Sequence, residues 1–589
     1  MENSRNMILA MLLSALVLFG GTYLSEVFFP QPKTPPASDG NSAATASPAS
    51  TLPGGPAALP AAPTKPKAAA EVIKASPRVR IVTPTLQGSI NLTGASLDDL
   101  TLTEFRQTVK KDSPAVRLLS PRGTAESYTA DFGWIASPGV VVPNAATVWQ
   151  SDSNQLSPGK PVTLSWDNGA GVTFKKRVAI DEHFMFTIDQ SVVNAGSAAI
   201  AVRARGVISR ATATTVKEAS IVKADAQSNT MIHTGPVGVF DGAANYEVSY
   251  GDLGESGTVA PRFSFKGGWL GFGETYWLTA LIPSSKANAE GGFQAGNGGF
   301  QADFAAAETP IVPGATVTTT SRLFAGAKKI DLLNKYEADG IPLFHKAIDW
   351  GWFELLEKPI FWLLLQLFAF FKNFGVAIIA LTFIVRGLMF PIAQRQFSSM
   401  ASMRAVQPKL KAIQERYKDD KPRLQQEMME LYKKEKINPL GGCLPIFLQI
   451  PIFYGLYKVL NLAVEMRHQP FILWLHDLSG PDPATILNLF GLLSFTPTGF
   501  FAIGVLPVLL GVTMYLQFKL NPAPLDPVQQ QVFAVMPWVM MIMMAPFAAG
   551  LQLYWTVSNI LTIAQQKWLY SRHPALKEPI IPPPAVAKK

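Results

Sequence analysis

The run Ile379-Ala-Leu-Thr-Phe-Ile-Val-Arg-Gly-Leu-Met-Phe-Pro391 places one charge, Arg386, among apolar residues. Apolar sequence continues back to Gly375, so 375–392 reads as a membrane-spanning helix. A charged side chain in mid-span costs roughly 2.5–3.5 kcal/mol on insertion scales unless it faces protein, water or a partner. Two accounts of Arg386 are open. It lies about one and a half turns from the span's end, near enough for its long side chain to reach headgroups. Alternatively it faces a wetted interior, with Thr382 one turn away on the same face.

Working outward from this run, 341–374 mixes Phe344, Trp350, Trp352 and Phe353 with His345, Lys346, Asp349 and Glu354. That composition predicts an amphipathic helix lying in the outer interface. Pro359 to Ile392 as one straight helix would measure ~51 Å, too long for a ~30 Å hydrocarbon core, so the span begins at Gly375. On the other side, 393–437 reads as a helical hairpin. Met400, Met403, Leu410, Ile413 and Tyr417 recur at helical spacing, and Leu424, Met428 and Leu431 answer them after Lys418-Asp-Asp-Lys-Pro422. Segment 438–570 holds four more expected spans, near 442–463, 502–520, 532–546 and 551–570. Ala484 to Phe495 is too short to cross and reads as an interfacial or re-entrant piece. With an uncleaved signal anchor over 1–29, six spans are expected.

Charge placement orients them. The stretch from Arg395 to Lys436 carries 11 Lys and Arg against 6 Asp and Glu, and the tail 571–589 is also basic. Lys and Arg gather on the cytoplasmic side, which puts the hairpin and both termini there. Arg404, Lys409, Lys411, Arg416 and Lys418 make the hairpin basic enough to contact RNA or anionic lipid, although a solvated face that only sets topology has the same composition. The other spans add Gln449, Gln517, Gln552, Ser558, Asn559, Gln565 and Gln566, but no acid that could pair with Arg386 or relay protons. Each amide alone is more often interhelical glue than a site. Met536, Met540, Met541, Met543 and Met544 cluster in the fifth span, as an adaptable surface or as lipid-facing filler.

Between the anchor and the interfacial segment the pattern changes twice. Pro30 to Ala70 contains ten prolines among Ala, Ser and Thr, so 30–76 is an extended linker. From Pro77 the chain shows short alternating runs broken by Gly, Asn, Asp and Pro, including Val79–Val82, Phe184–Ile188, Val202–Val207 and Tyr246–Tyr250. Period-two alternation without helical periodicity predicts a large β-sandwich over 77–340. Asp181, Glu182 and His183 sit together, yet a polar turn before a strand accounts for them more simply than acid–base chemistry.

Composition agrees. The 589 residues are 48% hydrophobic and only 16% charged, with mean hydropathy +0.18, which argues against a wholly soluble enzyme or a disordered chain. One cysteine, Cys443, excludes an internal disulfide framework and a cysteine metal cluster, and the six histidines show no ligand spacing. No catalytic residue, metal or cofactor is expected. A solute transporter or channel using Arg386 as an anion site is the competing reading, weakened by the missing inverted repeat and missing acidic coupling residues.

Phe383-Ile-Val-Arg-Gly387, Gln426-Glu-Met-Met429 and above all Asn438-Pro-Leu-Gly-Gly-Cys-Leu-Pro-Ile-Phe-Leu-Gln-Ile-Pro-Ile-Phe453 resemble the YidC/Oxa/Albino family of membrane protein insertases. Trp474-Leu-His-Asp-Leu478, Asp526-Pro-Val-Gln-Gln530 and Val557-Ser-Asn-Ile-Leu561 extend the resemblance, and the long domain after the first span is similar to the Gram-negative form. The resemblance implies a polytopic α-helical protein of the bacterial inner membrane with a five-helix core, a periplasmic β-sandwich and a cytoplasmic helical hairpin. It also implies insertion and folding of nascent membrane proteins, alone or with the Sec translocon, with ribosome and membrane lipids as further partners and no small-molecule substrate. A hydrophilic groove would hold Arg386, Thr382, Gln449 and Trp555, the last standing where tyrosine is commoner.

Overall fold

The computed structural model describes residues 66–211, 232–256, 262–296, 299–417, 420–435, 444–485, 487–490, 493, 495, 497, 502–521 and 527–572. The expected anchor 1–29, most of the linker and the tail beyond 572 lie outside the described residues.

A short helix, α1 (Ala69–Lys74), leads into two sheets. One has 11 strands, its main path running from Phe263–Lys266 to Gln155–Leu156; the other has 9, from Ala243–Asn245 to Gln150–Ser151. The alternation visible in the sequence sets which side chains enter the sandwich. In Val172–Ile180 the buried positions are Val172, Phe174, Lys176, Val178 and Ile180, while the intervening residues face outward. This strand pairs antiparallel with Met185–Asn194, from Phe186 opposite Ile180 to Asn194 opposite Val172. Across the sandwich Phe174 meets Trp134 of the other sheet at 5.0 Å between ring centroids. Large aromatics, including Phe186, Trp269, Phe272, Phe304 and Phe324, fill the core.

Three of the expected strand runs lie largely in strands: Arg78–Val82, Met185–Asn194 and Ile200–Ala211. Tyr246–Tyr250 does not. The strand there ends at Asn245, whose side chain accepts from Glu247 N, and Ser249 caps the short helix α2 (Tyr250–Ser256) by exchanging hydrogen bonds with Asp252. The Asp181–His183 cluster is a turn: Asp181 Oδ1 accepts from the backbone N–H groups of His183 and Met185.

The sandwich continues into α3 (Ile330–Ala338), which buries Ile330, Leu332, Leu333 and Tyr336, and then into 3₁₀ turns at Phe344–Ala347 and Gly351–Phe353. Helix α4 (Glu354–Phe371) ends at Lys372 in the left-handed conformation, and Asn373 caps α5 (Phe374–Leu388) by accepting from Val376 N at 3.1 Å. The expected interfacial segment is therefore two 3₁₀ turns followed by one helix. A break at Met389 bends the chain by 59° into α6 (Phe390–Arg416), so the expected span 375–392 is helical to Leu388 and its last residues already belong to α6.

Helix α7 (Lys421–Lys434), capped by Asp420, packs back on α6 through Met403, Val406, Leu410, Met428 and Leu431. Helices α8 (Leu444–Leu462), α9 (Val505–Leu520), α10 (Pro527–Met544) and α11 (Ala549–Arg572) follow. Residues 484–495 contain a turn at Leu487–Phe490, with Leu489 and Phe490 at positive φ, and no helix among the described residues. Among the described residues no single helix is both long and apolar enough to cross a membrane, but α5 with the first part of α6 meets that test as a bent pair.

Candidate functional site

Helices α5, α6, α8, α9, α10 and α11 surround a cavity of about 550 Å³. Arg386 enters it from α5. Its Nε donates to Ser558 Oγ on α11 at 2.9 Å, and its Nη2 reaches the same hydroxyl. No carboxylate pairs with Arg386 among the described residues. Of the two accounts open for this arginine, the geometry supports the interior one: the guanidinium turns inward to α11 instead of outward along its own helix.

Gln449 of α8 lines the same cavity and donates to Tyr554 OH at 3.2 Å. Trp555 lines it from α11, its ring meeting Phe453 edge-on at 4.7 Å between centroids. Thr382 does not line it. That side chain is fully buried, and its hydroxyl donates to the Ile378 carbonyl one turn back at 2.7 Å, a bond within α5 that uses its one donor hydrogen. Sharing a helix face with Arg386 was not sufficient, because the longer arginine side chain passes beyond the packed interface in which threonine ends.

The structure adds Ser558, Asn559, Thr562 and Gln565 of α11, together with Gln517 and Asn521 at the end of α9. The sequence signal for the α11 group was spacing: 555, 558, 559, 562 and 565 fall on one helical face. Asn559 donates to Thr513 Oγ1 at 3.2 Å, so part of this stripe also ties α11 to α9. Two of the expected polar groups have other duties. Gln552 is buried and donates to the Met544 and Phe547 carbonyls, closing the turn between α10 and α11, and Gln566 bridges Asn521 and Tyr570. Met540, Met543, Met544 and Phe547 contribute apolar lining. The cavity thus offers one fixed cation, several hydroxyl and amide groups, and a deformable thioether surface.

Away from the cavity, Lys409 pairs with Glu435 at 2.7 Å across α6 and α7, while Lys411 and Arg416 are exposed. Arg404 belongs to α6, and Lys418 lies outside the described residues. Among the described residues no group of three or more His, Cys, Asp and Glu is placed to hold a metal ion. The sandwich is fastened to the helical part by Arg467, which follows α8. Its guanidinium donates to the Arg106 carbonyl at 2.7 Å and lies over the Trp277 ring.

Two family models match this chain: one described as 60Kd inner membrane protein, over residues 366–576, and one described as YidC periplasmic domain, over residues 78–363. Among curated proteins, the membrane protein insertase YidC of Zymomonas mobilis subsp. mobilis is 42% identical over 587 residues, covering 98% of this chain and 97% of that protein. The YidC insertase of Acidiphilium cryptum is 47% identical over 523 residues, covering 85% of each. Among solved structures, an active YidC insertase crystal structure with the first transmembrane domain resolved covers 86% of this chain and 94% of its own, at 16% identity and a TM-score of 0.36.

Proposed function

From the premise that this chain belongs to the YidC family of membrane protein insertases, we propose that the Arg386 cavity is the place where it receives its client. The chain is an inner-membrane insertase with a periplasmic β-sandwich domain and a helical region. The observation that carries the proposal is the inward-turned guanidinium, held by a neutral hydroxyl and matched by no carboxylate among the described residues.

A polar client segment entering lipid loses its water, at a cost of roughly 2–7 kcal/mol for each unpaired amide or hydroxyl. The amides and hydroxyls of α8, α9 and α11 offset part of that cost, and Arg386 attracts an acidic group on the segment. The methionine wall adapts to varied apolar flanks. The apolar part of the client then moves into lipid by hydrophobic transfer, with no covalent step. In this reading the core has five spans and the anchor 1–29 is the sixth. Helices α6 and α7 form the cytoplasmic hairpin, both termini are cytoplasmic, and Arg404, Lys409, Lys411, Arg416 and Lys418 serve client delivery or ribosome contact. Insertion proceeds alone or beside the Sec translocon. The names of the relatives do not favour the transporter alternative.

The test uses purified protein in sealed liposomes and a single-span client with an acidic amino-terminal tail. Protease protection of the tail above that in empty liposomes is expected for wild type and reduced for Arg386→Met. Protection equal in empty and protein-containing liposomes would overturn autonomous insertion through this cavity.

A further inference from the structure

A second cavity, of about 290 Å³, lies in the β-sandwich and shares no residue with the client cavity. Its walls bring Lys176 from the nine-stranded sheet together with Asp131, Arg205 and Gln301 from the other, and Arg122 and Trp149 from connecting segments. Lys176 occupies a position that strand alternation reserves for an apolar side chain: its neighbours on that face are Phe174 and Val178. It is only 3% exposed. Buried lysines are normally paired, because the desolvation of an ammonium is otherwise uncompensated.

The hydrogen bonds around this cavity are lopsided. Among the described residues neither the Lys176 ammonium nor the Arg205 guanidinium has a hydrogen-bond acceptor or carboxylate partner. Lys176 Nζ instead lies 4.6 Å from the Trp149 ring centroid and 5.8 Å from that of Trp134. The one carboxylate, Asp131, is engaged by Arg122 and Thr129. Among the described residues Arg122 Nε and Trp149 Nε1 are buried donors without an acceptor. Lys176, Arg205, Arg122 and Trp149 therefore bring donors with no acceptor among the described residues to one cavity whose lining supplies a single, already engaged acid. What such a site lacks is acceptor oxygen carrying negative charge.

We propose that this cavity binds a small ligand bearing a carboxylate or phosphate group, whose anionic oxygens accept from Lys176 and Arg205 while its body lies beside Trp149. The volume is at the small end of the usual range for ligand pockets, which fits one compact group and excludes a polypeptide segment. The electrostatics agree with an unfilled anion site. Burial pushes the Lys176 ammonium down to about 7; Asp131 opposes the shift, and the nearby Arg205 charge adds to it. An incoming anion reverses that shift, so binding near neutral pH is coupled to uptake of roughly half a proton by Lys176.

The test is isothermal titration of the full-length protein in detergent with inorganic phosphate and, separately, acetate, near pH 7 in two buffers of different ionisation enthalpy. Saturable binding of at least one anion is expected, with proton uptake, and phosphate against acetate tells which group the ligand carries. Lys176→Met and Arg205→Gln are each expected to weaken binding tenfold or more. Lys176→Met replaces a buried charge by an apolar chain of similar length, and Arg205→Gln supplies an independent variant should the first fail to fold. No saturable binding of either anion to wild type, or undiminished binding in either folded variant, would overturn the proposal.

Discussion

Arg386→Met is the most informative single change in the chain. It keeps an unbranched side chain of similar reach and removes only the charge and its donors. With a client carboxylate about 5 Å from the guanidinium and an effective dielectric near 20, the attraction is about 3 kcal/mol for each acid. That corresponds to more than a hundredfold in occupancy of the cavity at limiting client. The folded state loses a charged hydrogen bond to Ser558, roughly 1.5–3 kcal/mol, but is also relieved of a poorly hydrated cation with no carboxylate partner among the described residues. The two effects oppose each other, so thermal stability is expected to change little while insertion changes greatly. The assay is initial rate of tail protection in sealed liposomes, for clients with zero, one or two acidic residues in the translocated tail. The mutant should be progressively worse as acids are added and nearly normal for the neutral tail. Equal rates for wild type and mutant on the two-acid client would refute the electrostatic role. An equal loss on all three clients would reassign Arg386 to structure or wetting.

Three other outcomes follow from particular contacts. Ser558→Ala removes the only hydroxyl that holds the Arg386 guanidinium among the described residues and should reduce insertion of acidic-tailed clients severalfold, less than Arg386→Met; a loss exceeding that of the arginine variant would contradict the positioning role. Asp482→Ala deletes an acceptor shared by Trp474 Nε1, Ala484 N and Leu506 N at the start of α9, and should cost about 2–4 kcal/mol in denaturation of the helical part. In the β-sandwich, Lys176 is largely neutral when folded above pH 7 but protonated when unfolded until about 10.5, so the unfolded state binds more protons and stability rises with pH. Between pH 7.5 and 9 the rise from this residue is up to about 2 kcal/mol; tryptophan-monitored urea denaturation should show a shallower pH slope for Lys176→Met, and identical slopes would show that its ammonium is not desolvated.

Much of this architecture is written in local pattern. Period-two alternation marked the sandwich because each inward side chain must leave water while its neighbours stay in it, and the strands containing Val79–Val82 and Val202–Val207 follow that rule. Tyr246–Tyr250 has the same alternation but became a turn and a helix start, because Asn245 and Ser249 offer the backbone nearer partners. The helical segments were legible from apolar run length, and their ends were less so: the Met389 break has no glycine, and Pro391 lies just beyond it, where proline suits the first turn of a new helix.

A sandwich followed by apolar helices, the family, and a conspicuous arginine at 386 are all legible in the order of residues, since composition and periodicity depend only on neighbours along the chain. Which side chains meet is a matter of packing. Arg386 finds Ser558, 172 residues away, while Thr382, on the same helix and only one turn distant, closes on its own backbone. Lys176 looks like one basic residue in a Lys-Lys-Arg run, and only the pairing of strands turns it inward beside two tryptophans. Hydrophobic periodicity assigns a face to each residue, but the reach of a side chain and the partner it meets there are properties of the packed molecule.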